Sequence, residues 1–325
     1  MGKSFLIIRL SSLGDVIHTL PMVNAIRAAI PDATIDWLIG EKGIGILENI
    51  KEINNLYLLN TKNLAQIINK KYDYILDVQG LFKTALIGKY ISSSTSAKLI
   101  GFKNTREFAD IFYDLKVDVG NLFDTKKHII DLNLGLLKVA GVESENIKFL
   151  IPKISAPQNK DLLAIDFTKK TALTLPATTW ESKMWGLNSW LNLIKDLSSK
   201  HQILISATSS EKELLNPLIK NLETENIDFI NLIGKTNIKD LTYIIQNVDI
   251  VYGLDSGGIH LAQAIKHDEG KPDVFGIYGP TSAYRNGLYG NFENSIFKKK
   301  LDCIFCRKKK CPLKHHKCMK ELTLP

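Results

Sequence analysis

The feature that most constrains this chain is an alternation of short apolar runs with helical stretches, and it occurs twice. Residues 3–10 (K-S-F-L-I-I-R-L) form an apolar run suited to a buried parallel strand. A helical period follows over 15–30 and stops at Pro31. Further strands are expected at 34–40, 72–79 and 97–102, with helices at 82–91 and 127–140. Residues 151–160 carry two prolines and little periodicity, and read as a linker. The alternation then restarts. Strands are expected at 171–176, 202–206, 229–234, 249–253 and 274–279, with helices at 187–199, 210–222, 238–247 and from Gly258. This pattern predicts an α/β fold with an open parallel sheet, covered by helices on both faces, in each half. The expected domains are residues 1–155 and 161–297, followed by a short basic tail, 298–325.

The chain has 325 residues, enough for two separate cores. No apolar run approaches the ~20 residues that span a bilayer. Arg9 interrupts the first apolar run too early for a signal peptide, so a cytoplasmic protein is expected. The net charge of +8 suits an anionic membrane surface, a phosphorylated substrate or nucleic acid. The surplus is uneven: residues 298–320 hold ten basic side chains and one acidic one, Asp302. A solvated tail is the plain alternative.

All four cysteines lie in that tail: Cys303, Cys306, Cys311 and Cys318. In a cytosolic protein such clustering points to metal or redox chemistry rather than disulfides. Four thiolates spaced C-x2-C-x4-C-x6-C can close a tetrahedral structural zinc site, and His315 or His316 can replace one ligand. Neighbouring lysines and Arg307 are expected to lower the thiol pKa values. Free thiols, or disulfides formed on oxidation, are the alternatives.

Three turns carry chemistry. The first, R-L-S-S-L-G-D-V-I-H-T-L-P at 9–21, lacks the G-x-G-x-x-G of a dinucleotide site. It puts a carboxylate, Asp15, at a helix start on the ligand-binding edge of the sheet, as a general base or as a helix cap. The second, D-S-G-G-I-H at 255–260, joins a strand to a helix. Gly257 and Gly258 admit a ligand to the backbone, and the helix N–H groups suit a diphosphate. Asp255 can accept from sugar hydroxyls, and His260 returns to the same edge. The third, P-A-T-T-W-E-S-K-M-W at 176–185, offers the Thr178 and Thr179 hydroxyls and the Lys183 charge to a departing diphosphate. A tight turn with a buried histidine, and a helix lead-in with an exposed lysine, are the plain readings of the last two.

Together these segments resemble glycosyltransferase family 9, the ADP-heptose:lipopolysaccharide heptosyltransferases. S-S-L-G-D-V-I-H-T-L-P matches the family's N-terminal signature. A-T-T-x-x-x-K-x-W, D-S-G-x-x-H and G-I-Y-G-P-T at 276–281 match its C-terminal ones. D-V-Q-G-L-F-K-T-A-L at 77–86 and T-R-E-F-A-D-I-F-Y at 105–113 resemble the heptosyltransferase I branch. The resemblance implies the GT-B fold, two Rossmann-like domains facing a cleft. It implies Asp15 as base and Lys183 as the diphosphate-binding, charge-neutralising lysine. Thr178 and Thr179 become phosphate contacts, and Asp255, Ser256, Gly257 and His260 the donor turn. Glu211 becomes the ribose-binding carboxylate. Arg9, Ser11, Ser12, Lys83 and Arg106 lie on the acceptor side. The sequence departs from the family's pattern at Ser206, where a glycine is common, and in a longer, more charged turn at 267–273.

The implied reaction is inverting transfer of a heptose (L-glycero-D-manno-heptose) from ADP-heptose to Kdo of lipid A, with no metal required for catalysis. It would take place on the cytoplasmic face of the inner membrane, against its anionic surface, with no nucleic-acid partner. A heptosyltransferase II acting on a heptose acceptor is the nearest alternative. A zinc-bearing nucleic-acid-binding protein would leave both sheets idle, and an NAD-dependent oxidoreductase lacks its glycine fingerprint.

Overall fold

The computed structural model describes residues 2–123 and 126–324, leaving aside the side chains of Lys42, Arg106, Asp161 and Ala164. The chain divides into two compact units, Met1–Pro152 and Lys153–Pro325.

Among the described residues the first unit holds six strands: β1 (Ser4–Ile8), β2 (Thr34–Ile39), β3 (Asn55–Leu58), β4 (Tyr74–Asp77), β5 (Lys98–Phe102) and β6 (Leu115–Val117). They pair in the order β3-β2-β1-β4-β5-β6, and every pairing is parallel. The central strand β1 runs F-L-I-I with all four side chains buried, as a strand covered on both faces must. The expected long helix over 15–30 is two helices, Leu13–Ile17 and Leu20–Ala29. Pro21 has no N–H to continue the first, and it sits instead in the opening turn of the second.

The second unit repeats the plan: β7 (Thr171–Leu175), β8 (Gln202–Ile205), β9 (Ile230–Asn231), β10 (Ile250–Leu254), β11 (Asp273–Ile277) and β12 (Ser295–Ile296). Their order is β12-β11-β10-β7-β8-β9, again all parallel. Both sheets therefore have the doubly wound 3-2-1-4-5-6 order. The strands that the periodicity misses, β3, β6 and β12, are the short, partly exposed ones at sheet edges, where no apolar run is required.

Residues 298–324 pack onto the second sheet. Cys318, Met319 and Leu322 are buried in its core beside Trp185 and Trp190. The Trp185 indole N–H donates to the Leu322 carbonyl at 2.9 Å. A side chain at Gly279 would overlap Met319, so this glycine lets the segment lie close.

Candidate active site

In a doubly wound sheet the strand order reverses at one point. There the loops leaving two neighbouring strands part, and a ligand crevice opens at their carboxyl ends. In the first unit that point lies between β1 and β4, and in the second between β7 and β10. Most of the sequence-predicted site residues fall on the turns at these two places; Glu211 follows β8 and Arg106 follows β5.

At the first, the turn after β1 starts the helix Leu13–Ile17. Asp15 is its third residue. Its Oδ2 accepts from the Ser12 hydroxyl at 2.7 Å and the Ser12 N–H at 3.1 Å, completing a capping box. Its Oδ1 pairs with Arg9 Nη2 at 2.6 Å, and the side chain is 34% exposed. Asp15 thus caps a helix and also presents a carboxylate to solvent. Arg9 is buried. Its Nη1 donates to the Val78 carbonyl at 2.6 Å, across the switch point. Ser11, Ser12 and Lys83 are exposed, and Arg106 has its side chain outside the described residues.

Sequence reasoning gave Gln79 no role, yet it joins the two turns. Its Oε1 accepts from the backbone N–H of Leu10 at 3.1 Å and of Ser11 at 3.3 Å. Gln79 in turn rests on Asp77, the last residue of β4. Asp77 Oδ1 accepts from the Gln79 and Gly80 N–H groups, each at 3.1 Å. Its Oδ2 accepts from the hydroxyls of Tyr113 at 2.8 Å and Thr84 at 3.0 Å. Burial pushes the Asp77 carboxyl up to about 6, against the pull of these four donors. Gly80 has φ +67°, which suits a glycine at this bend.

At the second switch point the turn after β7 carries Lys183 and the turn after β10 carries Asp255. Lys183 Nζ pairs with Asp255 Oδ2 at 2.7 Å and donates to the Asp255 carbonyl at 3.1 Å. His260 Nε2 donates to Asp255 Oδ1 at 2.9 Å, and the Thr281 hydroxyl donates to Oδ2. Burial opposes ionisation of Asp255, but the Lys183 ammonium and His260 outweigh it. The carboxyl is held far below the usual range. Asp255 is 4% exposed with both oxygens engaged, so it anchors Lys183 and His260 rather than accepting from sugar hydroxyls. An ammonium has three donors. Two of Lys183's meet Asp255, and the ammonium lies 4.9 Å from the centre of the Trp180 ring.

Ser256 is the N-cap of the helix Gly257–Glu269 and makes no side-chain cap bond. The N–H groups of that first turn, close to Lys183, are of the kind that can receive an anion. A Cβ on Gly258 would come within 2.9 Å of Leu175 Cδ1, so the glycine allows this helix to lie against the end of β7. Thr178 is buried and Thr179 exposed on the same turn as Lys183. Glu211 closes a capping box, its Oε2 accepting from the Thr208 N–H at 2.9 Å and hydroxyl at 2.7 Å. Ser206 is buried, with its hydroxyl 3.1 Å from that of Thr236.

None of the four tail cysteines is in a disulfide. With His315 and His316 they line a cavity of about 20 Å³ against Ser182 and Pro280, room for one water-sized species. Among the described residues no group of three or more His, Cys, Asp or Glu side chains is placed to hold a metal ion. The expected lowering of the thiol pKa values fails at Cys318. Burial and the three other sulfurs push its thiol up to about 11.

Comparison with known proteins bears on the family and the fold. The family model for glycosyltransferase family 9 (heptosyltransferase) matches residues 61–317. The lipopolysaccharide core heptosyltransferase OpsX of Haemophilus influenzae is 28% identical over 307 residues, covering 90% of this chain and 84% of that protein. The lipooligosaccharide heptosyltransferase 2 of Campylobacter jejuni is 29% identical, covering 95% and 91%. The structure of E. coli heptosyltransferase WaaC with ADP superposes with a TM-score of 0.69 at 23% identity, covering 89% of this chain and 91% of that one. The fold is therefore GT-B. With most of its length matched, including both turns of the second switch point, the chain belongs to glycosyltransferase family 9, the heptosyltransferases.

Proposed function

We propose that this enzyme moves L-glycero-D-manno-heptose from ADP-heptose to a hydroxyl of Kdo on lipid A, with inversion. The observation that carries the reading is the Lys183–Asp255 pair beside the N-terminus of the helix Gly257–Glu269. A cation paired with a buried carboxylate, next to helix N–H groups, suits a diphosphate on which charge grows as it departs. The WaaC structure contains ADP. Asp15 takes the proton of the acceptor hydroxyl, whose oxygen bonds to the anomeric carbon as the bond from that carbon to the ADP oxygen breaks. A general base of this kind contributes ~10²–10⁴-fold. Lys183, Thr178 and Thr179 receive the diphosphate, and Glu211 the ribose. Ser11, Ser12, Lys83 and Arg106 serve the acceptor. Arg9 serves it through Asp15. Incubation with ADP-heptose and Kdo-lipid A, followed by mass analysis, should show one added heptose, and no added mass would refute the reading.

A second reading has a specific observation behind it: the Campylobacter jejuni relative is named heptosyltransferase 2. A heptosyltransferase II would leave Kdo-lipid A unmodified and extend an acceptor that already carries a heptose.

Among the described residues no helix is long and apolar enough to cross a membrane. We place the enzyme peripherally on the cytoplasmic face of the inner membrane. Lys299, Lys300, Lys308, Lys309 and Lys310 are exposed in the tail, and each adds ~1 kcal/mol near an anionic surface. Phe82, Leu86 and Tyr90 form an exposed stripe on the helix Phe82–Thr95, suited to the lipid interface. Binding to anionic liposomes should fade with salt. Equal binding to neutral liposomes would contradict the electrostatic part.

A structural zinc on Cys303, Cys306, Cys311 and Cys318 remains a proposal for the tail. The shared thiol-lined cavity supports it. One zinc per chain after purification without chelators is the expected result. Metal-free, folded and active protein with four titratable thiols would end it.

A further inference from the structure

The cysteine-rich tail has no place in the reaction as described, yet its hydrogen bonds converge on the donor site. Ser182, the residue before Lys183, is gripped at all three of its polar groups by the tail. Its N–H donates to the Lys309 carbonyl at 3.1 Å and its hydroxyl to the Lys308 carbonyl at 2.6 Å. His316 Nε2 donates to its carbonyl at 2.6 Å. A carbonyl can only accept, so this contact assigns the His316 proton to Nε2. The tail also grips the far side of the same site. The N–H groups of Phe305 and Arg307 donate to the carbonyls of Gly279 at 3.2 Å and Pro280 at 2.7 Å. The next residue, Thr281, donates its hydroxyl to Asp255.

Four residues of this segment hold left-handed backbone without being glycine: Phe305 (φ +63°), Arg307 (+56°), Lys314 (+58°) and His316 (+53°). Such positions cost free energy and persist where the surroundings over-determine them. Here the surroundings are named contacts. Phe305 packs on the Tyr278–Ala283–Phe297 cluster, and Met319 fills the space over Gly279. The bends at Arg307 and His316 fall at the residues that reach Pro280 and Ser182.

We infer that the segment Cys303–Cys318 is a clamp on the donor site, and that His316 is a positioning residue which aims Lys183 by fixing the Ser182 carbonyl. The inference rests on the reading of Lys183 as the diphosphate ligand. The physical reason is local. Lys183 sits in a three-residue 3-10 turn, Glu181–Lys183, too short to be rigid alone. Without the clamp its ammonium keeps Asp255 but loses a fixed direction for its remaining donor.

The test is ADP affinity by calorimetry, with steady-state kinetics on the intact protein. His316→Ala should weaken ADP binding and raise the donor KM about tenfold, the scale of one lost hydrogen bond at a binding site. The acceptor KM should not move. His316→Gln, whose amide N–H can reach the same carbonyl, should restore most of the affinity. Should His316→Ala fail to fold, Ser182→Ala, which removes only the hydroxyl bond to Lys308, should give a smaller shift of the same sign. Wild-type ADP affinity in both alanine variants overturns the clamp. So does His316→Gln binding as weakly as His316→Ala, or an acceptor KM that rises together with the donor KM. A wild-type protein that binds no ADP would instead overturn the donor-site reading on which the clamp rests.

Discussion

The two switch points of this molecule solve one topological problem with different chemistry. In each sheet, loops that part at the strand ends must be held together across the crevice. The second unit uses buried charge: Lys183 from one turn meets Asp255 from the other, and Asp255 is almost sealed from water. The first unit uses backbone-directed hydrogen bonds: Gln79 accepts from Leu10 and Ser11, and Arg9 donates to Val78. Its turn carboxylate, Asp15, stays about one-third exposed. The difference fits the work proposed for each carboxylate. An anchor must stay ionised and hold a cation, so burial with partners suits it. A base must meet its substrate and take up a proton, so it has to be reachable.

The sharpest way to break this comparison is to remove one charge from the buried pair. Lys183→Ala leaves Asp255 ionised and buried with less compensation, a change that typically costs ~3–5 kcal/mol. It should lower the denaturation midpoint and weaken ADP binding. Calorimetry with unchanged ADP affinity would remove Lys183 from the diphosphate site. Asp15→Asn tests the other side. It should cut turnover by at least ~10²-fold, the scale of a lost general base, with ADP affinity intact. Near-normal turnover would reduce Asp15 to its helix cap.

A third experiment uses pH. The Asp77 carboxyl is raised to about 6, mainly by burial, above its unfolded value of 3.8. Between these values the folded state binds more protons than the unfolded one. Asp77 therefore lowers stability as pH rises through this window, and its contribution is best below the unfolded pKa. Urea unfolding from pH 4 to 7 should show a shallower decline in Asp77→Asn than in wild type. Identical slopes would mean that the carboxyl titrates as an ordinary one. The smallest effect concerns Gln79. Gln79→Ala should lower kcat about tenfold without changing ADP affinity, because it frees the turn that carries Arg9 and Asp15. Gln79→Glu, which keeps the acceptor oxygen, should retain more activity. Equal loss in both variants would mean that the bond to the Leu10 and Ser11 amides is not what matters.

Much of this was legible before any coordinates. β1 announces itself because a strand buried on both faces is apolar along its length. The edge strands β3 and β6 did not, since an exposed pleat tolerates most residues. Asp15, Lys183, Asp255 and His260 stood out in the sequence because each lies in or just beyond a short turn with glycine or small polar neighbours. Gln79 and Ser182 were not, because their weight comes from partners far along the chain. For Asp255 the sequence suggested hydrogen bonds to sugar hydroxyls, whereas in the structure both its oxygens meet protein partners. Its isolated turn looked open to a sugar, while Thr281 and Lys183, which occupy it, lie in other segments.

The amino-acid sequence by itself determined the doubly wound plan in each half, the turns that carry charge, and the family to which they belong. These follow from period, turn chemistry and local spacing, which are properties of neighbouring residues. The tertiary structure decided which charges pair, which carboxylate is sealed and which is reachable, and what the basic tail grips. Those depend on burial and on contacts between residues such as Ser182 and His316, 134 positions apart. Such contacts form only when the sheet has brought the two segments together, and no local pattern encodes them.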